Sequence, residues 1–192
     1  MFNLDNCVNH CSPDAKCYNP GVIGTNYESS RIMIVLNRSD SRATQAIDEG
    51  EGLFKSIPPE NSYDRALRMS NTGKLLNWLY SYCGLTDDDI YVTNAFKCLL
   101  PKDREPKKKE YAACVDLLKE QIIAAKPSKI MVFGQRPYRH LFNRDDNGEK
   151  FLEFETYNGI PVLALNHPRK LYDMQTHHRQ RYFKIIRKFI QS

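Results

Sequence analysis

Cysteine is the residue type in this chain that most directly suggests metal chemistry. The 192-residue sequence contains six cysteines, and fifteen residues separate Cys98 from Cys114. Three more, Cys7, Cys11 and Cys17, lie in an N-terminal segment whose prolines and glycines predict irregular structure. No secretory signal precedes them, so we expect reduced thiols rather than a disulfide framework. Metal or cluster ligation is therefore the chemistry that these residues favour.

A second candidate set consists of Asn37, Asn94, Gly134 and His167, each of which ends or follows a short apolar run. The runs have the composition of buried parallel strands and cover residues 31–36, 90–94, 129–134 and 160–165. Helical patterns occupy residues 75–82 with a glycine cap at 84, 107–125, 137–142 and 179–190. The sixth cysteine, Cys83, falls on the first of these helices as a small core residue would.

This alternation of strands and helices predicts an α/β fold. We expect three layers, α/β/α, with a four-stranded, mainly parallel central sheet. In such sheets the ligand crevice lies at the carboxyl ends of the strands. The polar residues that end the four apolar runs are therefore candidate site residues.

Length and composition favour one domain over residues 1–192, because 41% hydrophobic content suffices for one core and the chain is short for two. Residues 1–26 form an expected metal-binding segment, and residues 39–72, which lack clear periodicity, an expected long loop or insertion. No run approaches the roughly 18 apolar residues of a membrane helix. We expect a cytoplasmic monomer, associated with the nucleoid if the source is bacterial, archaeal or phage.

The charge distribution favours a polyanionic partner. The chain has 28 Lys and Arg against 23 Asp and Glu, which gives a formal net charge of +5. Basic residues concentrate in residues 102–109 and 169–187, where the second stretch also contains aromatic side chains. Each stretch taken alone could equally be a solvated helix face.

The most specific motif of the chain is YVTNAFKCLLPKDREPKKKEYAAC, at residues 91–114. The order of Thr-Asn, Lys-Cys, a proline, Arg-x-Pro, a glutamate and a second cysteine resembles the central signature of the family-four uracil-DNA glycosylases. Weaker similarities extend over most of the chain, at residues 73–76, 126–134 and 166–171. The resemblance implies that family's fold, a four-stranded parallel sheet between helices. It also implies DNA as the partner, single- or double-stranded, with uracil or a modified base.

The resemblance further implies a 4Fe-4S cluster held by four cysteines. Cys98 and Cys114 match the two ligands of the central signature. The family's other two ligands form a Cys-x2-Cys pair, which counting back from the first strand assigns to Cys7 and Cys11, with Cys17 as a substitute candidate. Zinc is the alternative metal, because four thiolates also suit its tetrahedral coordination.

The base-binding and catalytic residues follow from the same resemblance. Asn94 matches the family's pyrimidine-reading asparagine, whose amide can donate to and accept from one edge of a base. His167 matches the histidine that donates a hydrogen bond to the base oxygen that gains charge as the glycosidic bond breaks. Phe54 is the candidate for stacking on a flipped base, with a core phenylalanine as the alternative.

Three residues that follow the histidine are candidates for DNA contacts. Leu171 falls where the family inserts a side chain into the duplex, although a leucine shortly after a turn could equally belong to the core. Arg169 and Lys170 lie beside it in the second basic stretch.

The segment after the first strand departs from the family pattern. The family has Gly-Glu-x-Pro-Gly there, whereas this chain has Asn37 at the glutamate position and lacks both glycines. An asparagine cannot act as a general base, although its carbonyl oxygen can orient a water molecule. Asp40 is the nearest carboxylate that could substitute.

Three functions remain open from the sequence. The first is a DNA glycosylase that flips uracil or a related base and hydrolyses its N-glycosidic bond. The second is an iron-sulfur DNA-binding module that has lost hydrolysis, which the altered segment at Asn37 favours. The third, a structural zinc protein, leaves the central signature unexplained.

Overall fold

The computed structural model describes residues 16–17, 30–38, 67, 70–100, 104–144 and 151–192. The predictions for Cys7, Cys11, Asp40 and Phe54 lie outside these residues. The strands are β1 (Lys16–Cys17), β2 (Ile32–Arg38), β3 (Ile90–Phe96), β4 (Cys98–Leu99), β5 (Lys129–Phe133), β6 (Phe154–Tyr157) and β7 (Ile160–Leu165). The helices are α1 (Asn71–Cys83), α2 (Lys108–Ala125), α3 (Gln135–Phe142), α4 (Pro168–Tyr172) and α5 (Thr176–Gln191), with a 3₁₀ turn at Asp87–Asp89.

Five of the strands form one sheet in the order β3-β2-β5-β7-β6. The first four are parallel to one another, and β6 pairs with β7 in the antiparallel direction. A separate two-stranded antiparallel pair joins β1 to β4. The α/β prediction is therefore confirmed, but the sheet has five strands rather than four.

The sequence does not predict the extra strand β6, because it has only four residues of mixed polarity and lies at the edge of the sheet, where it is only partly covered. The signal that could have found it is Asn158-Gly159, which joins β6 to β7 with positive φ at both residues, 50° and 81°. An Asn-Gly pair between two strands is the preferred sequence of a tight hairpin turn, since both types tolerate this conformation.

Both faces of the parallel strands are covered by helices. Alternate residues of β2 show this: Met33 and Val35 pack in a cluster with α2 and α3, whereas Ile34 and Leu36 pack in a second cluster with α1, α4 and α5. Continuous apolar strands are what a sheet buried on both faces requires. The predicted three-layer arrangement follows from these two clusters.

Helix ends agree with the sequence signals. The side chain of Ser70 accepts a hydrogen bond from the Gly73 amide at the start of α1, and Gly84 ends the helix in the left-handed conformation. Since α1 begins at Asn71, the predicted loop of residues 39–72 ends slightly earlier than expected. No helix within the described ranges is long and apolar enough to cross a membrane.

Candidate functional site

The candidate residues at the carboxyl edge of the sheet lie on four adjacent parallel strands. Asn94 belongs to β3, opposite Leu36 of β2, and Asn37 is the next residue of β2. Gly134 directly follows β5, and His167 lies two residues after β7. β2 continues to Arg38, so Asn37 lies within the strand rather than after it. The parallel register thus brings the predicted residues to one edge of the sheet, where α/β proteins bind ligands.

Gly134 connects β5 to this site. Its φ of +100° lies in a region that side-chain-bearing residues rarely adopt, and its amide donates to the carbonyl of Leu165 at 2.8 Å. A Cβ atom at this position would lie 3.6 Å from Cδ2 of His167 and 3.7 Å from Cδ of Pro137. A Cβ atom would thus make only ordinary contacts there, and the positive φ is what favours glycine at this position beside His167.

The hydrogen bonding of His167 defines which ring nitrogen carries the proton. His167 is the N-cap of α4, and its Nδ1 accepts a hydrogen bond from the Arg169 amide at 3.3 Å. His167 is exposed at the surface, and partial desolvation of its ring by the surrounding atoms, with a further contribution from the Arg169 charge, lowers its pKa below the usual value. The imidazole is therefore neutral near pH 7, and Nε2 carries the hydrogen that can be donated.

Asn37 is held by a residue that the sequence did not suggest. The Tyr111 hydroxyl of α2 donates a hydrogen bond of 2.9 Å to Oδ1 of Asn37. Tyr111 is buried, its ring stacks on His140 with centroids 3.9 Å apart, and burial raises the pKa of its hydroxyl well above the usual range. The hydroxyl therefore stays protonated, and it takes one of the two acceptor positions on the Asn37 carbonyl oxygen.

A buried lysine stabilises the strand that carries Asn94. Nζ of Lys97 donates to Oγ1 of Thr93 at 2.7 Å, to Oε1 of Gln121 at 2.6 Å and to the backbone carbonyl of Asn94. All four residues are buried. An ammonium group removed from water needs such acceptors for each of its hydrogens, so this network fixes the backbone at Asn94.

A partly buried ion pair anchors the segment before α2. Arg104 donates to both carboxylate oxygens of Glu110, at 2.9 and 2.8 Å. The same carboxylate accepts from the Lys107 amide at 2.7 Å and so caps the helix. These residues were part of the sequence motif, but their role as an anchor could not be read from spacing alone.

Leu171 is not available for the role that the sequence suggested. Its side chain is 0% exposed and packs in the cluster beneath α1 and α5. A side chain enclosed in this way would have to leave the core before it could enter a duplex, so in this structure Leu171 is a core leucine, the alternative that the sequence leaves open. Arg169 and Lys170, by contrast, are exposed on α4.

Three of the cysteines come to one place in the fold. The antiparallel register of β1 and β4 sets Cys17 directly opposite Cys98, and Cα atoms of opposed residues in such pairs lie about 4.5–5.5 Å apart. Sγ of Cys114 accepts a hydrogen bond from the amide of Lys97, the residue before Cys98, at 3.5 Å. Within the described side chains, no group of three His, Cys, Asp or Glu could hold a metal ion, and those of Cys17 and Cys98 are not among them.

Cys83 lies elsewhere, on α1 and on the opposite face of the sheet from α2. Burial raises the pKa of its thiol to about 11, so the thiol is protonated near pH 7. This agrees with the interpretation of Cys83 as a core residue, because a thiolate is the form that binds metals.

The fold and the site together define an α/β protein whose candidate residues lie at the carboxyl ends of its parallel strands. The family model of the uracil DNA glycosylase superfamily matches residues 52–191. That range includes most of the sheet together with Asn94, Gly134 and His167. The chain therefore belongs to the uracil DNA glycosylase superfamily.

Individual relatives carry the name type-4 uracil-DNA glycosylase. The protein of Archaeoglobus fulgidus is 35% identical over 110 residues, which cover 50% of this chain and 53% of the relative. That of Saccharolobus solfataricus is 31% identical over 115 residues, 50% of this chain and 52% of the relative. That of Sulfurisphaera tokodaii is 25% identical over 144 residues, 73% and 64% of the two chains. The chain thus spans about half the length of the first two relatives.

The protonation state of His167 leads to a direct prediction. In a nitrogen-15 NMR titration, His167 should titrate below the usual value of about 6.5, with Nδ1 unprotonated in the neutral form. Arg169→Gln should move this pKa upward, since it removes the cationic contribution but leaves the backbone amide in place. A pKa above the usual value, or a hydrogen on Nδ1 in the neutral form, would contradict the assignment.

Proposed function

We propose that this protein flips uracil or a related modified base out of DNA and hydrolyses its N-glycosidic bond. The observation that carries the proposal is the hydrogen bond from the Arg169 amide to Nδ1 of His167, because an imidazole that accepts at Nδ1 carries its hydrogen on Nε2 and can donate it. The names of the relatives support the same chemistry. Their names identify uracil as their substrate base and DNA as the molecule that contains it.

Asn94 would read the edge of the flipped base. Its amide can donate to a base oxygen and accept from a ring N–H, which is the pattern that uracil presents. Because Lys97 holds the backbone carbonyl of Asn94 from the buried side, the amide would be positioned before the base arrives. Phe54 remains a proposed stacking partner for the base.

The proposed reaction breaks the bond between the base nitrogen and C1′ of the sugar. The electron pair of that bond stays with the base, where negative charge collects on an oxygen that accepts a hydrogen bond from Nε2 of His167. A water oxygen then bonds to C1′ and loses its proton. Asn37 would orient this water, and Asp40 is the carboxylate proposed to accept the proton.

The two base contacts should dominate the rate of excision. His167→Ala should slow single-turnover excision of uracil by on the order of a hundredfold, because the leaving group loses its hydrogen-bond donor. Asn94→Ala should be comparably damaging, because the base loses its edge contacts. The assay is alkaline cleavage of the abasic sites formed in single- and double-stranded oligonucleotides.

The matched controls are His178→Ala and Asn77→Ala, which remove the same residue types from exposed positions on α5 and α1. Neither should change the rate. If all four variants excise uracil as fast as the parent protein, the base contacts are assigned to the wrong residues.

The link between Asn37 and Tyr111 generates a separate prediction about water. Tyr111→Phe deletes the hydrogen bond to Oδ1 of Asn37 and should lower the excision rate severalfold without changing the dissociation constant for DNA. Asn37→Glu should raise the rate, because a carboxylate can accept both the tyrosine hydrogen and a water proton. Asp40→Asn should lower it if Asp40 is the proton acceptor.

A loss of DNA affinity in Tyr111→Phe that equals its loss of rate would assign Tyr111 a purely structural role. Equal excision rates for wild type and Asp40→Asn would show that solvent, rather than Asp40, accepts the proton of the attacking water.

The four-cysteine site is proposed to hold a 4Fe-4S cluster. Cys98 and Cys114 are two ligands, and the register between β1 and β4 favours Cys17 as the third, the substitute that the sequence had left open. Cys7 or Cys11 would supply the fourth. Soft thiolates suit iron-sulfur clusters, and a bound cluster would tie the N-terminal segment to the start of α2.

Metal content provides the test of this ligand set. Protein purified without oxygen should be brown and contain about four iron and four sulfide per chain. Cys17→Ser, Cys98→Ser and Cys114→Ser should each lose most of the iron, and Cys83→Ser, the matched control, should retain it.

Zinc without iron would overturn the cluster assignment. Full iron content in Cys17→Ser would exclude Cys17 as a ligand and assign the two N-terminal ligand positions to Cys7 and Cys11.

A catalytically inactive DNA-binding module is the second candidate, and Asn37 at the family's glutamate position favours it. The two functions separate cleanly. DNA binding without excision by wild type, by Asn37→Glu and on every base tested would establish the binding module.

A further inference from the structure

A carboxylate lies between two arginines beside the candidate site. Glu105 forms an ion pair with Arg136 of α3 through Oε2, and Oε1 lies 3.5 Å from Nη2 of Arg38. We propose that Arg38 and Arg136 form a binding seat for one DNA phosphate, which Glu105 occupies until DNA displaces it. The proposal rests on the proposed function, because it assumes that DNA approaches this edge of the sheet.

The chemistry of the two arginines matches a phosphodiester. Guanidinium groups bind carboxylate and phosphate oxygens with the same geometry, so a carboxylate can stand where a phosphate would bind. Arg38 and Arg136 together carry two positive charges against the single negative charge of Glu105. The seat therefore keeps a net positive charge even when Glu105 occupies it.

The exposure of the three side chains allows exchange. The side chain of Glu105 is 60% exposed, that of Arg136 44% and that of Arg38 25%. Ion pairs at this exposure contribute little to stability, because water competes for both charges. A phosphate can therefore replace the Glu105 carboxylate at small cost, whereas the Glu110 carboxylate, whose side chain is only 6% exposed, would resist displacement from Arg104.

The backbone at Glu105 is anchored independently of its side chain. On one side, Arg104 is held by Glu110, and its carbonyl accepts a hydrogen bond from Arg38 at 3.2 Å. On the other side, Glu110 accepts from the Lys107 amide. Displacement of the carboxylate thus requires only rotation of the Glu105 side chain. Arg38 stays in place when it loses Glu105, because it still donates to the Arg104 carbonyl.

The location connects this seat to the base site. Arg38 follows Asn37 in β2, and the Arg136 guanidinium lies 5.9 Å from the centre of the Tyr111 ring, whose hydroxyl binds Asn37. Arg136 also follows Gly134 by two residues, and Gly134 packs against His167. A phosphate bound here would belong to the nucleotides next to the flipped base.

The test compares two variants that remove one negative charge each. Glu105→Gln opens the seat, and Asp116→Asn neutralises a carboxylate that is 74% exposed on α2 and pairs with Lys119 instead. The full-length protein is titrated with a uracil-free oligonucleotide at several salt concentrations. Glu105→Gln should bind about three- to tenfold more tightly than wild type, and Asp116→Asn should match wild type, because only the first removes a competitor for the phosphate.

If the proposal is right, the gain in DNA affinity of Glu105→Gln must depend on Arg38 and Arg136. In an Arg38→Gln/Arg136→Gln background, Glu105→Gln should bring no gain, and the slope of log affinity against log salt should fall by about 0.9 per lost phosphate contact. Arg136→Gln alone provides the same comparison with a more exposed residue.

Each other outcome overturns the proposal. Equal gains in DNA affinity from Glu105→Gln and Asp116→Asn would show that the increase comes from the change in net charge alone. Unchanged affinity in Glu105→Gln, with salt-dependent DNA binding and excision by wild type, would reject the seat while the proposed function stands. Absence of DNA binding in every protein at low salt would reject both.

Discussion

β2 pairs with β3 on one side and β5 on the other, and Ile32 is opposite both Ile90 and Lys129. This shared parallel register is the constraint on which the site depends. It places Asn37, Asn94 and Gly134 within one residue of the same level along the three strands, so they come to one edge although they are far apart in the sequence. A shift of one residue in β2 would turn Asn37 to the other face and break its contact with Tyr111.

Much of this arrangement could be predicted from the sequence. Strands buried on both faces read as continuous apolar runs, and the four parallel strands had that signature. The edge strand β6 did not, because its exposed residues carry no such pattern. Leu171 shows a second limit of sequence-based prediction. Its spacing after His167 could not distinguish a side chain that points into solvent from one that packs in the core.

The buried polar contacts were the least predictable part of the site. Lys97, Thr93 and Gln121 form hydrogen bonds to one another across strand and helix, and no local sequence pattern predicts such a network. The same holds for Tyr111 and Asn37, which are 74 residues apart. The resemblance identified Asn37 as a departure from the family, but only the fold shows which residue holds its carbonyl oxygen.

The distribution of charge around this edge follows from a conflict at the start of α2. Lys107, Lys108 and Lys109 lie at the positive end of the helix dipole, where cations are unfavourable, and Glu110 is the only acid of the first turn. Glu110 is committed to Arg104 and to the Lys107 amide, so it neutralises little of the exposed charge. The lysines therefore add to the positive electrostatic potential of Arg38 and Arg136. The carboxylate that pairs with those two arginines is that of Glu105. The positive charges on this surface repel one another and the positive end of the α2 dipole. A bound polyanion would neutralise them and relieve this repulsion, so the surface is well suited to attract one.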